Sequence, residues 1–584
     1  MSKENHPQAA LRYFPIRQIR LLPGSPYYTR QQDMLTWLGS VDNDRMLYNF
    51  RREAGLDTEG AEPMTGWDAE ECKLKGHTTG HYLSGLALAW AATGEERFRH
   101  KIDFLVTELG RCQDTLAATG RYHPGYLSAY SEEQFDQLEH FTKYPEIWAP
   151  YYTLDKIMSG LYDCRVLAGN RWAEEILLKM GDWVCDRLSR LPQETLDRMW
   201  SMYIAGEYGG MLGTMVKLYR LSGEERYLRA ARLFRNGKLF DPMEQGRDTL
   251  EDMHANQHIP QIMGAMELYE ATGEARWWKI GKNFWEIVTG GHIYCNGGVG
   301  ETEIFHRAGS TCSYLTDKAA ESCASYNMLR LTGQIFPYAP DGSLMDYYEN
   351  TLCNHILTSC SHQADGGTTY FLPLGPGGRK EYSTEENTCC HGTGMESRFR
   401  FMEHIYARDE EAVYVNLFVP SALSGETEFR LSMEAEGRYR ITVGRDLDRA
   451  LCIRIPKWAG GEFSLALNGE SLSPSQRSGY AVVAGRLRTG DHVDVTLPMR
   501  LRRDSDPWDP KFATLSYGPY LLAELSSRKA FQPAPDPGKL SSGEEPLSFA
   551  DPEGRRTFVP LFQVDQKPYH VYFKAVSDPV SGSR

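Results

Sequence analysis

Two adjacent cysteines, Cys389 and Cys390, lie in the Thr- and Gly-rich segment ENTCCHGTGMES, directly before a predicted helix. Glu321 and Cys323 occur earlier in the chain, in the segment ESCASYNML. Because Zn²⁺ takes thiolate sulfur and carboxylate oxygen in tetrahedral sites, three thiols and one carboxylate make a complete four-coordinate set. Adjacent residues can both face one ion where the backbone bends sharply, which glycines permit. These residues therefore predict a zinc site.

Two other states of the thiols fit the same residues. Free cysteine is among the most frequently buried residue types, so the three sulfurs could simply pack in the core. Cys389 and Cys390 could also form a vicinal disulfide. The spacing is not the C-x-x-C pair typical of zinc sites, so spacing alone does not separate the three interpretations.

A repeated helical pattern over residues 25–410 would have to position these side chains. Amphipathic helices end in a glycine turn that is followed by the charged start of another helix, as in LSGLALAWAATGEERF and VKLYRLSGEERYLRAARLF. Such glycines suit the position after a helix, where positive φ is favoured; they are Gly94, Gly169, Gly223, Gly273 and Gly333. Repeated helix pairs are typical of a toroid or a solenoid, and a closed (α/α)6 barrel fits this array. An open helical solenoid is the alternative, and it would not gather the loops at one end.

Short alternating strands replace the helices after residue 410, so the fold class is a multidomain α and β protein. Residues 411–505 contain segments such as AVYVNLFVPSAL, RYRITVG and HVDVTLPMRL, which predict a β-sandwich. Further strand-like segments in residues 506–584 predict a second β-sandwich region. Residues 1–24 include the extended segment RYFPIRQIRLLPG. We expect that segment to pair with the C-terminal β region and to complete the second sandwich.

Composition and charge limit the classes of partner. The chain has 584 residues, of which 41% are hydrophobic, enough for a large core and more than one domain. Its net charge of −14 argues against nucleic acid and anionic membranes as partners. No segment approaches the length of a membrane span. The N-terminal sequence MSKENHPQAALRYFPIRQIRLL lacks the apolar core of a signal peptide, and 12 cysteines suit a reducing compartment, so we expect a cytoplasmic protein.

Several motifs resemble those of a known family. NTCCHGTGMES, ESCASYNML and GGVGETEIF are similar to the signatures of glycoside hydrolase family 127, the β-L-arabinofuranosidase family. The similarity extends to GHTTGHYLSGLAL, EYGGM and HANQHIPQIMGA and continues into the C-terminal β region. It implies a retaining hydrolase that releases non-reducing-end β-L-arabinofuranose, or a related sugar, from plant-derived glycans. The implied partner is an oligosaccharide or glycoside, and the implied cofactor is Zn²⁺.

The resemblance also implies which residues act on the sugar. In this family the nucleophile is a zinc-bound cysteine thiolate, and the matching residue here is Cys389. Glu321, Cys323 and Cys390 are the implied remaining zinc ligands. Zinc holds a coordinated sulfur as thiolate at neutral pH, so no separate base is needed. A closed structural zinc site with the same four ligands is the alternative.

The acid/base must be a carboxyl group that can donate a proton and recover it. Glu303 in GGVGETEIF matches the catalytic glutamate of the family. Glu301 in the same segment is the rival candidate. Without the resemblance, a solvated loop glutamate would be the favoured interpretation of either residue.

His77 and His81 are four residues apart in GHTTGH, so they share one face of a predicted helix. The same spacing fits a zinc pair, but the glutamate of an H-E-x-x-H motif is absent. Contacts with the substrate and hydrogen bonds within the core explain these histidines about equally well. Trp67, which precedes them, could stack on a sugar or pack in the core.

Other polar residues are candidates for the sugar pocket. Glu207 and His258 occupy positions where the family uses sugar-binding side chains, but well-known arabinofuranosidases carry His at the position of Glu207. That difference leaves the exact sugar open. Tyr370 could donate a hydrogen bond near the cysteines, and His254 is a candidate for the pocket wall. Glu349 could support the cysteines or form a surface ion pair.

Two other functions compete with this hypothesis. Another α/α-barrel enzyme, such as an unsaturated uronyl hydrolase or a lyase, would use carboxylates or Tyr and His and would not need Cys389. A non-catalytic, zinc-stabilised carbohydrate-binding protein would bind sugar without forming product. Kinase, dehydrogenase and esterase functions have little support because the corresponding loop motifs are absent from the sequence. A homodimer is compatible with the surfaces that large sandwiches offer.

Overall fold

The computed structural model describes residues 9–575. In this range the chain forms a helical barrel that is followed by two β regions. The α-helices are α1 Pro26–Ser40, α2 Asn43–Ala54, α3 His77–Thr93, α4 Glu96–Ala118, α5 Glu133–Glu139, α6 Pro150–Ala168, α7 Arg171–Leu188, α8 Gln193–Trp200, α9 Met211–Ser222, α10 Glu225–Ala231, α11 Gly237–Glu244, α12 Ala255–Thr272, α13 Ala275–Gly291, α14 Ser322–Ile335, α15 Gly342–Thr351 and α16 Cys389–Arg400.

Helices α3, α6, α9, α12, α14 and α16 form a closed inner ring, because each packs against the next and α16 packs against α3. Helices α4, α7, α10, α13, α15 and α1 pack behind them. The inner helices approach closely where glycines face each other. A Cβ on Gly80 of α3 would overlap the backbone of Lys156 in α6, and one on Gly160 would overlap Gly80. The ring confirms the predicted (α/α)6 barrel.

Four of the five glycines that were predicted to end helices do so, with φ between 72° and 75°. They are Gly94, Gly169, Gly223 and Gly273. The prediction for Gly333 was wrong, because α14 continues through it to Ile335. Gly333 instead provides room for the ring of His404, which a Cβ at this position would overlap.

The described residues contain 23 strands, four of which precede α16 and 19 of which follow it. They are β1 Arg12–Tyr13, β2 Ile19–Leu21, β3 Thr368–Thr369, β4 Tyr382–Ser383, β5 Tyr406–Arg408, β6 Ala412–Val415, β7 Ser421–Leu423, β8 Phe429–Ala435, β9 Arg438–Val443, β10 Ala450–Arg454, β11 Ser464–Leu467, β12 Glu470–Leu472, β13 Ser475–Arg477, β14 Tyr480–Val483, β15 His492–Thr496, β16 Leu501–Ser505, β17 Phe512–Tyr517, β18 Tyr520–Leu525, β19 Ser541–Ser542, β20 Phe549–Ala550, β21 Thr557–Pro560, β22 Tyr569–His570 and β23 Tyr572–Lys574.

The first β region is a sandwich of two sheets, with strand orders β1-β5-β6-β10-β14-β13 and β12-β11-β15-β9-β8-β7-β2. The N-terminal segment contributes one strand to the edge of each sheet: β1 pairs with β5, and β2 pairs with β7. The segment therefore pairs with the C-terminal β region, as expected, but it does so in the first sandwich and not in the second. The buried side chains of both sheets belong to one hydrophobic core that is continuous with the barrel.

The second β region differs from the expected second sandwich. Its strands form one sheet in the order β16-β17-β18-β21-β20-β19, and β22 and β23 join it beside β18 and β17. One face of this sheet packs on barrel loops through Leu521, Val559 and Leu561. The other face of the sheet has a separate hydrophobic core around Leu515 and Phe558.

Residues 1–8 of the predicted N-terminal segment and residues 576–584 of the second predicted sandwich lie outside the described range. Among the described helices, none combines the length and the apolar character needed to cross a bilayer.

Candidate active site

The candidate active site lies where the inner helices of the barrel begin. Cys389 and Cys390 are the first two residues of α16. Glu321 immediately precedes α14, and Cys323 is the second residue of that helix. A helix N-terminus carries a partial positive charge and unpaired N–H groups, so it favours thiolate and carboxylate side chains. Two adjacent inner helices thus direct their positive ends at one group of acidic side chains.

The start of α16 explains how two adjacent cysteines can face the same point. Thr388 caps the helix, and its hydroxyl accepts a hydrogen bond from the backbone N–H of His391 at 3.3 Å. The preceding residue, Asn387, has a φ of 48°, so the chain turns sharply into the helix. Gly392 lies one turn further, where a Cβ would overlap the ring of His81.

The four predicted metal ligands form one buried cluster. Their ligand atoms all lie within 4.8 Å of one another. Sγ of Cys389 and Sγ of Cys390 are 3.8 Å apart, and each is 3.9 Å from Oε1 of Glu321. All cysteines are free thiols, so the vicinal disulfide is excluded by the structure.

This cluster fits a metal ion with soft ligands. The second carboxylate oxygen of Glu321, Oε2, is buried and has no hydrogen-bond partner. Buried polar atoms normally have a partner, so an unpaired oxygen among three thiols indicates a position for a cation. Three sulfurs and one carboxylate suit Zn²⁺ and similar thiophilic metals.

The ionisation of the cluster supports the same interpretation. Burial and the neighbouring charge of Cys389 raise the pKa of Glu321 well above its usual value. Burial also opposes ionisation of Cys323, but hydrogen bonds from the thiols of Cys389 and Cys390 lower its pKa to about 6. Four acidic groups this close cannot all ionise without a compensating cation.

Glu303 lies beside this cluster and is linked to it by Tyr370. The Tyr370 hydroxyl donates a hydrogen bond to Oε1 of Glu303 and lies 3.6 Å from Sγ of Cys389. Glu303 has a φ of 68° and Thr302 a φ of 48°, which are uncommon values for residues with side chains. Such backbone conformations concentrate at functional sites, where the surrounding structure holds them.

The rival glutamate points elsewhere. Oε1 of Glu301 accepts a hydrogen bond from Thr316 at 2.9 Å, and Oε2 lies 3.1 Å from Nε2 of His306. These contacts fasten the loop that carries Glu303. The geometry therefore favours Glu303 over Glu301 as the carboxyl group next to the thiols.

His254 and Glu207 are the electrostatic neighbours of Glu303 in the pocket. His254 caps the start of α12, and its Nε2 lies 3.6 Å from Oε2 of Glu303. Burial lowers the pKa of His254, but the charges of Glu207 and Glu303 outweigh it, so the pKa is raised. Burial also raises the pKa of Glu207. The sequence identified His254 only as part of the pocket wall, yet it is the direct neighbour of Glu303.

His77 and His81 lie at the start of α3, as predicted, but their rings are held by protein groups. Nδ1 of His77 lies 3.2 Å from Asp68, and Nδ1 of His81 lies 2.7 Å from Glu396. Nε2 of His81 is buried and has no partner. Burial lowers the pKa of His81, which favours the neutral ring.

His258 is not brought into the thiol cluster by its contacts. It lies one helical turn beyond His254, and its Nδ1 is 2.6 Å from the carbonyl oxygen of that residue. Burial lowers its pKa to about 4, so the ring is neutral. Glu349 lies outside the site and forms an ion pair of 2.6 Å with Arg454.

Aromatic side chains form a wall next to the thiols. Trp67 lies 5.0 Å from Trp148 and 6.0 Å from Tyr370, measured between ring centroids. Tyr152 packs in the same cluster as the cysteines. The sequence analysis missed Trp148 and Tyr152. Pro150, at the first position of α6, is a helix-start signal that could have located them, because site residues lie at helix starts.

Family models match most of the chain. The model described as the β-L-arabinofuranosidase GH127 catalytic domain matches residues 18–403, and the GH127 middle domain matches residues 412–499. A curated relative from Bifidobacterium longum subsp. longum, a non-reducing end β-L-arabinofuranosidase, is 22% identical over 271 residues. That match covers 41% of this chain and 39% of the relative, so it spans about two fifths of the relative's length.

Solved structures share the whole fold. A structure described as a GH127 β-arabinofuranosidase superposes with a TM-score of 0.76 at 18% identity, covering 98% of this chain and 99% of that one. A GH127 β-L-arabinofuranosidase from Geobacillus stearothermophilus T6 has a TM-score of 0.71 at 16% identity and covers 97% of this chain and 100% of its own. At such identities the likeness establishes the fold, and the family models establish the relationship. The chain therefore belongs to glycoside hydrolase family 127.

Proposed function

We propose that this protein is a retaining glycoside hydrolase that releases β-L-arabinofuranose, or a related sugar, from the non-reducing ends of plant-derived glycans. The observation that carries the proposal is the contact chain from Cys389 through Tyr370 to Glu303. Through this chain a thiol and a carboxyl group, which we propose as nucleophile and acid/base, both contact the same phenol. The identity of the sugar in this proposal comes from the family and from the curated relative.

Glu321, Cys323, Cys389 and Cys390 would hold Zn²⁺. When bound, Zn²⁺ keeps cysteine sulfur in the thiolate form at neutral pH. The two helix N-termini at the cluster favour the same ionised form. Cys389 is the ligand in contact with Tyr370, which distinguishes it from Cys390 as the candidate nucleophile.

Hydrolysis then requires two displacements at the anomeric carbon. In the first, the sulfur of Cys389 forms a bond to this carbon while Glu303 donates its proton to the departing glycosidic oxygen. In the second, Glu303 takes a proton from water, and the hydroxide oxygen displaces the sulfur. Each displacement inverts the carbon, so the product keeps the configuration of the substrate.

The aromatic wall and the buried histidines would shape the sugar pocket. Trp67 and Trp148 offer flat apolar faces against which a furanose ring can pack. The unpaired Nε2 of His81 and the carboxylate of Glu207 are polar groups suited to sugar hydroxyls. A carboxyl group at position 207, where well-known arabinofuranosidases carry a histidine, would give this pocket its own preference among related sugars.

A panel of nitrophenyl glycosides, combined with metal analysis of the purified protein, tests this function. We expect cleavage of the β-L-arabinofuranoside, or of one closely related sugar, and product of unchanged anomeric configuration by NMR during the first turnovers. Tightly bound zinc would support the predicted cofactor. Inverted product, or turnover of unsaturated uronides only, would contradict the proposal.

A further inference from the structure

A second cleft lies where the barrel and both β regions meet, apart from the thiol cluster. Its volume is about 660 Å³, within the range of small-ligand pockets. It is lined from the barrel side by Tyr294 and Asn350, and from the β side by Trp458, Arg502 and Trp508. The proposed catalytic function does not use any of these residues.

Trp508 is a fixed aromatic platform at this cleft. It is 48% exposed, which is unusual for so large an apolar side chain. Its turn is rigid, because the Asp506 carboxylate accepts hydrogen bonds from the backbone N–H groups of Trp508 and Asp509 at 3.0 and 2.9 Å. The ring rests on Gly309, where a Cβ would lie 3.3 Å from it. The exposure is therefore built into the fold and does not result from a loose loop.

Trp458 is the second aromatic group, and its orientation is also fixed. The indole N–H donates a hydrogen bond of 2.8 Å to Oε2 of Glu349. The other carboxylate oxygen of Glu349 pairs with Arg454 at 2.6 Å. Arg502 lies along the same wall and donates to the carbonyl oxygen of Trp458 at 3.3 Å.

Most of the charges that line the cleft are compensated within the protein, and the two others, Lys457 and Asp506, are of opposite sign. Arg454 pairs with Asp346 as well as with Glu349, at 2.6 Å in each case. Asp504 accepts a hydrogen bond from Ser516 at 3.0 Å and lies 3.7 Å from Arg502. A cleft in which charges of both signs nearly cancel has little attraction for a strong anion or a strong cation. It suits a neutral ligand that is rich in hydroxyl groups.

From these contacts we infer that the cleft is a second carbohydrate-binding site, which takes a neutral oligosaccharide segment of the glycan. Aromatic faces pack on the apolar faces of sugar rings, and side chains such as Asn350 and Thr514 bind hydroxyl groups at the edges. The cleft wall includes residues 293–295, upstream of Glu303 on the same inter-helix loop. The choice of glycan rests on the proposed function, but binding at this site needs no hydrolysis.

The test measures binding of oligosaccharides of three to five sugar units that end in β-L-arabinofuranose by isothermal titration calorimetry. The Cys389→Ala protein serves as the parent, so that the probe is not consumed. We expect two binding events on the parent. Adding Trp508→Ala should remove one event or weaken it more than 10-fold. Ser505→Trp, which fills the cleft, should have the same effect.

The matched control is Trp172→Ala, because Trp172 is also an exposed tryptophan, at 60%, but lies on α7. It should leave both events unchanged. Two events in the Trp508→Ala and Ser505→Trp proteins would overturn the inference. So would a dimer of the parent, seen by sedimentation, that Trp508→Ala dissociates, because the cleft would then be an interface between copies. Failure of the nitrophenyl panel would reject the proposed function and leave this binding result unaffected.

Discussion

The hydroxyl of Tyr370 donates a hydrogen bond to the carboxylate of Glu303. The same oxygen lies 3.6 Å from Sγ of Cys389, so one phenol contacts both proposed reacting groups. Burial alone would raise the pKa of Glu303. The hydrogen bond and charge of His254, together with the bond from Tyr370, lower it below its ordinary value. His254 and Tyr370 together therefore influence when Glu303 carries its proton.

We predict that Tyr370→Phe raises the pKa of Glu303, because one donor to the carboxylate form is lost. Protonated Glu303 is needed for the first displacement, so the alkaline limb of the kcat/KM profile should move to higher pH. A bond to a charged group is worth about 1.5–3 kcal/mol, so kcat should fall about 10- to 100-fold. Tyr517→Phe removes a comparable bond to Glu436, far from the site, and should change neither quantity. An unshifted profile would show that Tyr370 does not act on Glu303.

The two glutamates of the loop can be separated by substitution. Glu303→Gln removes the proposed proton donor and should lower kcat by about 10²- to 10⁴-fold on alkyl or sugar leaving groups. The loss should be smaller on nitrophenyl substrates, because nitrophenol leaves without a proton. Glu301→Gln keeps an acceptor for Thr316 and should stay within a few-fold of the parent. A larger loss in Glu301→Gln would reverse the assignment.

Removal of the cysteines should separate metal binding from nucleophilic attack. Cys389→Ala removes the proposed nucleophile and should reduce turnover at least about 10⁴-fold, as for other enzymes that lose this group. Cys323→Ala removes a proposed ligand that is not the nucleophile and should lose bound zinc as well as activity. The zinc content is measured by mass spectrometry of the purified protein. Cys185→Ser, a half-buried thiol on α7, is the control and should keep both zinc and activity. Near-normal turnover in Cys389→Ala would favour a carboxylate-based enzyme.

Two helical glycines should respond in opposite ways to an added methyl group. Gly392→Ala would force a Cβ into the ring of His81, and overpacking of this kind costs about 1–3 kcal/mol. Gly290 in α13 has open space at its Cβ position and lies in a helix. Gly290→Ala should therefore stabilise the protein by up to about 1 kcal/mol. Thermal unfolding would compare the two variants, and equal midpoints would contradict the packing argument.

The sequence predicted the parts of the site that are adjacent along the chain. Each pair of proposed metal ligands is local, Glu321 with Cys323 and Cys389 with Cys390, so short motifs carried the information. The choice between Glu301 and Glu303 was not local. It depends on the turn at Thr302 and Glu303 and on a tyrosine from another loop, which only the folded chain brings together.

The features of the fold that were predicted wrongly also depend on long-range contacts. A glycine after an apolar run predicts a helix end, yet Gly333 stays helical because His404 packs against it. Strand patterns identify strands but not their partners, so the N-terminal segment was expected in the second sandwich, although it pairs with strands of the first. For the same reason the pattern could not reveal that the last strands form one sheet.

The pairing of β1 with β5 and of β2 with β7 has a consequence for protein synthesis. The first strands leave the ribosome long before residues 406–423, which they must meet. Until those residues are synthesised, β1 and β2 have no strand to pair with, although most of the helices have already been made. An expression fragment that starts after residue 24 would leave both edges bare, and exposed edges of this kind invite aggregation. Any expression fragment should therefore contain the N-terminal strands, the barrel and the first β region together.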